Sequence, residues 1–417
     1  MSTELEVVGA LRAISESTFG SDMSASLASF WYIPASEGTV KVTLTTDEFD
    51  PMQEVQDRGE AREYVLGKRS ASFAVTMPLA PTGTAAGSAT AAITSSLGKL
   101  LKATMGAETL GTGTTFSTGW TAITGDVASG TGIVAGTAIG WVNTAGLLEV
   151  REVESVSTNT IVLKHAFSGS PANGNVCYAS ATYTTAADPT ESLQFLVEGA
   201  ESDDRWLLLG CQAEGGISIT VDPSGSALPT ITFNFTATHY LESDETASAI
   251  TGTLSTASYS AYNPIVGNAG ELRVFTVGAA TLVTSSLVHC SALAFNPKVV
   301  FVKVTSPSGA NGGTVLRWRG GRLNPPVEGS FTTFYEGLPW FQARDAKTDK
   351  AVFYLCGRVA GSAFMLSAPT CQIVNPNRGA DAAGIAAQTV TFRGRRDTDV
   401  GASTGTVAKS GFRIHLM

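Results

Sequence analysis

Leu207–Gly225 reads LLLGCQAEGGISITVDPSG, and Pro229–Phe235, PTITFNF, follows close behind. An apolar run, a Pro-Ser-Gly turn and then strict alternation of Thr or Asn with Ile and Phe spell two β-strands. The Gly215–Gly216 pair inside the first marks a bulge. Working outward, Ser192–Gly199 (SLQFLVEG) is a third strand, and the alternating segments Thr39–Thr46 (TVKVTLTT) and Lys68–Leu79 (KRSASFAVTMPL) are two more. Ser88–Met105 places Ile93, Leu97, Leu100, Leu101 and Met105 on one helical face, with Gly106 as a stop. Gly98 inside that helix costs about 1 kcal/mol relative to Ala, so the helix needs tertiary packing. The expected fold class is mainly β, with one flanking helix.

Residues 110–186 interrupt this pattern. They are rich in Gly and Thr, with short strands at Leu147–Val156, Thr160–Lys164 and Asn175–Tyr183 and a turn cluster at Ser168–Gly174. A small inserted β-barrel on the exterior is expected. The polar stretch after Leu241 reads as a linker, taken as 246–260. Beyond it the first half recurs in diverged form. Phe341–Leu366 reads like Leu193–Ile219: a strand, a charged turn, an aromatic-aliphatic strand with Cys beside Gly, and a small-residue bulge. Gln388–Arg395 (QTVTFRGR) matches Thr230–Thr236 (TITFNFT), and a hairpin at Lys298–Arg319 matches Thr39–Leu79, but no helix like 88–105 is evident there. The domains expected are 1–109 with 187–245, the insertion 110–186, the linker, and a second unit at 261–417.

Only 15% of the residues are charged, against about 25% in an ordinary globular chain, which points to surfaces that end against other subunits. Residues 1–254 hold 11 basic and 28 acidic residues, net −17, whereas residues 255–417 hold 16 and 8, net +8. The cysteines (Cys177, Cys211, Cys290, Cys356 and Cys371) form no C-x-x-C pair and read as reduced, buried thiols of a cytosolic setting. Glu4 and Glu6 with no basic region ahead argue against a secretory leader. The most apolar stretch, Thr131–Leu148, is broken by Gly, Thr and Asn143, so no membrane span is expected.

Chemistry-bearing motifs are missing. The four histidines (His165, His239, His289 and His415) are far apart in sequence and lack metal-ligand spacing. Neither a G-x-S-x-G elbow nor a phosphate-binding Gly-Lys loop occurs. The expectation is a chain that is not an enzyme and uses no cofactor or metal. Two charged features stand out. Asp47–Glu63 contains Asp47, Glu48, Asp50, Glu54, Asp57, Glu60 and Glu63 and reads as a long acidic loop between strands. Arg378, Arg393, Arg395 and Arg396 form a basic group in which Asp397 and Asp399 follow at once and aromatics are not interleaved, so subunit contact fits better than nucleic-acid binding.

The order strand, acidic loop, strand, amphipathic helix and three strands resembles the tail tube protein of siphophages. The resemblance is carried by MPLAPTG (Met77–Gly83) leading into LGKLLKATMG (Leu97–Gly106), and by Leu207–Gly225 leading into PTITFNF; it covers residues 36–109 and 187–245 best. It implies a tail-tube β-sandwich, duplicated here, whose units form rings that stack into a tube with one sheet of each unit lining the channel. It further implies three duplicated chains per ring, or six chains. Tape-measure and tail terminator proteins are the expected partners, and DNA passes without specific binding. The location implied is the virion tail, assembled in the host cytoplasm. The acidic loop and the four arginines are then candidates for contacts between stacked rings. A capsid decoration protein or adhesin is the alternative.

Overall fold

The computed structural model describes residues 2–6, 10–17, 19–20, 28–35, 40–49, 65–80, 96–185, 191–199, 205–222, 227–242, 265, 270–278, 287–297, 301–306, 314–320, 327–335, 339–380, 384, 386–397 and 406–417. The chain is mainly β, built from large antiparallel sheets. It opens with β1 (Ser2–Glu6), β2 (Leu11–Ser15), β3 (Trp31–Tyr32), β4 (Lys41–Phe49), β5 (Val65–Pro78) and helix α1 (Ser96–Met105). Then come β6 (Gly106–Leu110), β7 (Thr114–Thr115), β8 (Thr124–Asp126), β9 (Ala138–Val142), β10 (Leu148–Ser157), β11 (Thr160–Leu163), β12 (Val176–Ala179) and β13 (Ala181–Thr185). β14 (Leu193–Glu198), β15 (Arg205–Val221), β16 (Thr230–Ala237) and β17 (His239–Glu242) complete the first half. The second half holds β18 (Glu271–Thr276), β19 (Leu287–Val288), β20 (Cys290–Asn296), β21 (Phe301–Ser306), β22 (Thr314–Gly320) and β23 (Glu328–Phe334). It ends with helix α2 (Pro339–Asp345), β24 (Asp349–Cys356), β25 (Phe364–Ala380), β26 (Ala386–Gly394), the short helix α3 (Thr406–Lys409) and β27 (Arg413–Leu416).

Alternation decides the faces. In β16, Ile231, Phe233, Phe235 and Ala237 are buried while the Thr and Asn residues between them are not, as a sheet with one covered face requires. β15 is long enough to serve two sheets. Its Arg205–Leu209 end pairs with β14 and β17, and its far end, from Gln212, pairs with β16 and β20. The chain turns between them at Gly210, where φ is +62° and a Cβ would meet Thr238 Oγ1 at 2.4 Å, so only glycine fits. Phe73 of β5, Phe195 of β14 and Phe235 of β16 lock the two sheets together with ring centroids 4.9–5.6 Å apart. Each such buried ring contributes about 1.5–3 kcal/mol. Leu97, Leu100, Leu101 and Met105 of α1 join the same core, so the apolar stripe read from the sequence is the packed face.

The pairings of the second half follow the order of the first. β4-β5-β16-β15 is one four-stranded run, and β20-β23-β26-β25 is another. β14 lies between β2 and β15, as β24 lies between β18 and β25. β17 flanks the near end of β15, as β27 flanks that of β25. The runs are continuous, because β15 pairs with β20.

Several sequence expectations shift. Asp47 and Glu48 lie within β4, which runs on to Phe49: Glu48 pairs with Leu66, and Asp47 sits at a bulge between Thr46 and Glu48; pairing on both sides of the bulge outweighs the low strand preference of acids. The strand expected at Phe341 is instead α2: Pro339 sits at its start and the positive-φ Lys347 (51°) just beyond its end. α2 lies between β23 and β24 as α1 lies between β5 and β14, so a helix does occur where the sequence suggested none. The strand read at Asn175–Tyr183 divides at Ser180, whose N–H donates to Ala138 O and whose hydroxyl accepts from Ala138 N. β12 stays in the inserted module, whereas β13 pairs with β6 and β27 in the main sheet. The hairpin at Lys298–Arg319 is present as β21–β22, but as a separate two-stranded sheet; the places of β4 and β5 in the pairing order are held by β20 and β23. Residues 246–260 of the expected linker and 88–95 of the expected helix lie outside the described residues.

The inserted module is a small barrel of order β7-β12-β9-β10-β11-β8, closed by the Phe116–Val127 bridge. Its own core holds Phe116, Trp120, Trp141 and Phe167. A Cβ on Gly125 would lie 2.5 Å from Trp120, so the indole packs directly on the backbone there.

Candidate functional site

The run β4-β5-β16-β15-β20-β23-β26-β25 turns one face to the core and the other outward. A row of register partners crosses the outward face: Thr230, Thr220, Ala294, Ser330, Thr391 and Asn375. All are small and uncharged, and none is buried. The neighbouring row carries the hydroxyl pair Thr76–Thr232 at 2.9 Å. It also carries Glu328 and Arg393, register partners joined by an ion pair of 2.9 Å. The face therefore offers hydroxyls and amides together with the paired Glu328 and Arg393. Sequence reading missed it, because the rows depend on register between strands far apart in the chain.

The expected contact residues divide. Asp47 is exposed near the end of β4, and Glu48 follows it on the same strand. Asp50, Glu54, Asp57, Glu60 and Glu63 lie outside the described residues. Arg378 is opposite Gln388 while Gln372 is opposite Arg393, so Arg378 and Arg393 are separated by roughly 17 Å of strand. The four arginines thus form two groups. Arg378 stacks on Tyr335 (4.7 Å) and Phe341 (5.1 Å). At the other end Arg393 pairs with Glu328, Arg395 pairs with Asp349 at 3.0 Å, and Arg396 is exposed.

A second feature lies where the module meets the second half. Glu152 of β10, Lys164 just after β11, Asp397 after β26, and Arg413 and His415 of β27 are all buried. Arg413 Nη1 donates to Glu152 Oε2 at 2.8 Å, and Nη2 donates to Asp397 Oδ2 at 2.6 Å. Two further Arg413 N–H groups, on Nε and Nη2, donate to Val407 O and Ala408 O. Lys164 Nζ donates to Asp397. His415 Nε2 lies 3.2 Å from Glu152 Oε1, and its Nδ1 lies 2.9 Å from Thr182 Oγ1. Burial pushes His415 below its ordinary value, against the pull of Glu152. Burial would also raise Glu152, but Arg413, His415 and Lys164 outweigh it and hold the carboxylate far below its usual range. With His415 neutral, two carboxylates face two cations and the cluster is balanced. A neutral ring that donates from Nε2 and accepts the Thr182 hydroxyl at Nδ1 fits both contacts. Because its members are up to 263 residues apart, no motif spacing could have signalled it.

The thiols are poorly set up as nucleophiles. Burial pushes Cys177 up to about 12 and Cys290 up to about 11, and among the described residues all five cysteines are free. Also among the described residues, no group of three His, Cys, Asp or Glu could hold a metal ion.

No family model matches this chain, and no curated protein does. Among solved structures it is similar to one described as K. pneumonia MrkH in its apo state, at 6% identity and a TM-score of 0.13, over 62% of this chain and 78% of that one. A likeness that low carries no argument about fold or function.

Proposed function

We propose that this chain is a structural subunit that polymerises into a ring-built tube, of the kind its sequence resemblance to siphophage tail tube proteins implies, and that it is not an enzyme. The observation that carries the reading is the β15–β20 junction. Two four-stranded runs with the same pairing order join edge to edge inside one chain, and their outward faces, crossed by an uncharged row, become one surface. This supports a duplicated unit, and repetition of the junction between chains would close three chains into a ring of six such units. The hydroxyl-rich face would line the channel. DNA would slide past it, because Lys and Arg contacts to phosphate are what hold DNA, and the nearest Arg on that face is paired. Tape-measure and terminator proteins would be its partners in a virion tail. Electron microscopy of the purified chain tests the reading. Tubes whose rings have three-fold symmetry, each chain spanning two similar units, are expected. Monodisperse monomers at every concentration would overturn it, and rings with true six-fold symmetry and six chains would overturn the stoichiometry.

The acidic segment adds a second expectation. Its carboxylates would meet exposed arginines of the next ring, Arg378 and Arg396 being those not engaged by a carboxylate of their own chain among the described contacts. Exposed pairs are worth only about 0–1 kcal/mol each, so stacking would rest on several together and weaken as salt rises. Replacing Glu54, Asp57, Glu60 and Glu63 with Gln or Asn is expected to shorten tubes and blunt their salt response. Tubes of parental length and salt resistance would show the segment to be a solvated surface only.

A further inference from the structure

We propose that the inserted module is a clamp. It fixes the two units of one chain in their ring placement before assembly, and it makes the seam within a chain stronger than the seam between chains. For the second seam the inference rests on the repeat-junction reading above and deepens it. By sequence the module belongs to the first half, since it hangs between α1 and β14. It is packed on the second half. β13, at its exit, pairs with β27 from Ala181 opposite Leu416 to Thr184 opposite Arg413. Ala138, Leu148 and Val150 share one apolar cluster with Ala363 and Met365. The Leu148 N–H donates to Arg358 O at 2.9 Å, and the His165 ring meets Phe275 edge-on at 4.3 Å. A Cβ on Gly136 would lie 2.8 Å from Val407 O, so the two backbones touch there. The buried ionic cluster is closed by the same approach: Glu152 and Lys164 come from the module, Asp397, Arg413 and His415 from the second half.

The seam between chains has no counterpart of this. In the pairing order α2 stands where α1 stands, and β24 stands where β14 stands. Residues 106–192 separate α1 from β14, whereas only Ala346, Lys347 and Thr348 separate α2 from β24. The second unit therefore carries no module. The strands show the consequence. β27 has β25 on one side and β13 on the other. β17, which flanks β15 as β27 flanks β25, pairs among the described residues with β15 alone. The seam within a chain thus joins two ladders, β15–β20 and β13–β27, and buries two carboxylates against two cations. Repeating the junction between chains supplies a ladder of the β15–β20 kind only. Opening a buried ionic cluster leaves uncompensated charge, which is far costlier than parting exposed ions. A chain then enters a ring with one of its seams already made, and such preorganisation lowers the ordering cost of joining.

The test removes the covalent link and asks whether the clamp holds. A protease site placed within residues 246–260 of the full chain lets the folded protein be cut into two pieces, one with the module and one with Asp397, Arg413 and His415. The nicked pieces are expected to stay together on size-exclusion chromatography down to a concentration about tenfold below that at which tubes of the same protein dissolve. With Arg413→Met the pieces are expected to separate at about hundredfold higher concentration than those of the nicked parent. Adding Glu152→Gln, on the other piece, is expected to restore most of that loss. A defect confined to the second unit would show no such rescue across the cut. Pieces of the nicked parent that part at the concentration where tubes dissolve would overturn the clamp and leave the tube reading standing. Arg413→Met pieces that hold as firmly as the parent's would do the same. A parent chain that never polymerises would instead remove the tube reading, and with it the second seam on which the comparison depends.

Discussion

Arg413→Met is expected to cost about 3–5 kcal/mol of folding stability, read as a lower denaturant midpoint at unchanged slope. The substitution keeps an apolar stem of similar length but leaves two carboxylates with fully buried side chains, Glu152 and Asp397, sharing the single charge of Lys164. Adding Glu152→Gln leaves Lys164 facing Asp397 as a balanced pair, so the double variant is expected to recover most of the loss. A single variant within about 0.5 kcal/mol of the parent, the range of an ordinary surface change, would show that the cluster holds nothing together. The same bookkeeping bears on the module. Its ends run as β6 and β13 in the main sheet, and it supplies Glu152 and Lys164 to the cluster. Excising residues 111–180 would leave Arg413 and Asp397 to each other and remove Glu152 from His415, which would keep only Thr182. A module-free chain is therefore expected to be less stable than the parent even if the module stays outside the channel.

Acid should unmake the junction in two steps. The folded pKa of His415 lies below its ordinary 6.5, so between those values the unfolded chain binds the extra proton. Its contribution is present above pH 6.5 and is lost as pH falls through the window beneath it. The folded pKa of Glu152 lies below its ordinary 4.5, so its contribution is present above 4.5 and fades only under much stronger acid. Glu16 and Glu108 are raised by burial and act in the opposite sense, gaining relative stability as pH falls. His415→Asn is expected to flatten the loss of stability just below pH 6.5 and to leave the lower step in place. An unchanged profile would remove His415 from the account.

How much of this was legible depended on whether the signal was local. The alternation in Thr230–Phe235 gave both the strand and its buried face, because one covered side forces a period of two. The helical stripe of Leu97, Leu100, Leu101 and Met105 was readable for the same kind of reason. Phe341–Asp345 was read as a strand by likeness to the start of Leu193–Ile219, while Pro339 and the turn at Lys347 decided for a helix. The likeness was aligned one element out at that point: in the pairing order the place of β14 is filled by β24, not by Phe341. The uncharged row and the ionic junction were not legible at all. Neighbours in the row lie as far apart in sequence as Thr220 and Ala294, and members of the ionic junction are up to 263 residues apart; such pairings are settled by turns, bulges and packing that the pattern of one strand does not contain.

Register also makes the ring itself testable by chemistry. Carrying the β15–β20 junction onto the equivalent strands, by way of Thr230 onto Thr389 and Pro78 onto Thr332, places Pro376 opposite Val40 of the next chain. One step along, Asn375 falls opposite Lys41. Both of these are exposed, and Asn375 lies in the uncharged row. A chain carrying Lys41→Cys and Asn375→Cys in a Cys290→Ser background, Cys290 being the one cysteine that is not buried, should therefore cross-link between chains within a ring when assembled tubes are oxidised. With three chains per ring, exhaustive oxidation is expected to stop at covalent trimers, because the third bond closes the circle and no free thiol remains to extend it. Neither single-cysteine variant should exceed dimers. Covalent hexamers would mean six chains per ring and would reject the reading of two units per chain. A ladder without an upper limit would mean an open, helical arrangement, in which the heterologous joint never closes. Absence of any inter-chain bond in well-formed tubes would mean that chains meet through a different edge, and the quasi-symmetry inferred from the intramolecular junction would fall with it.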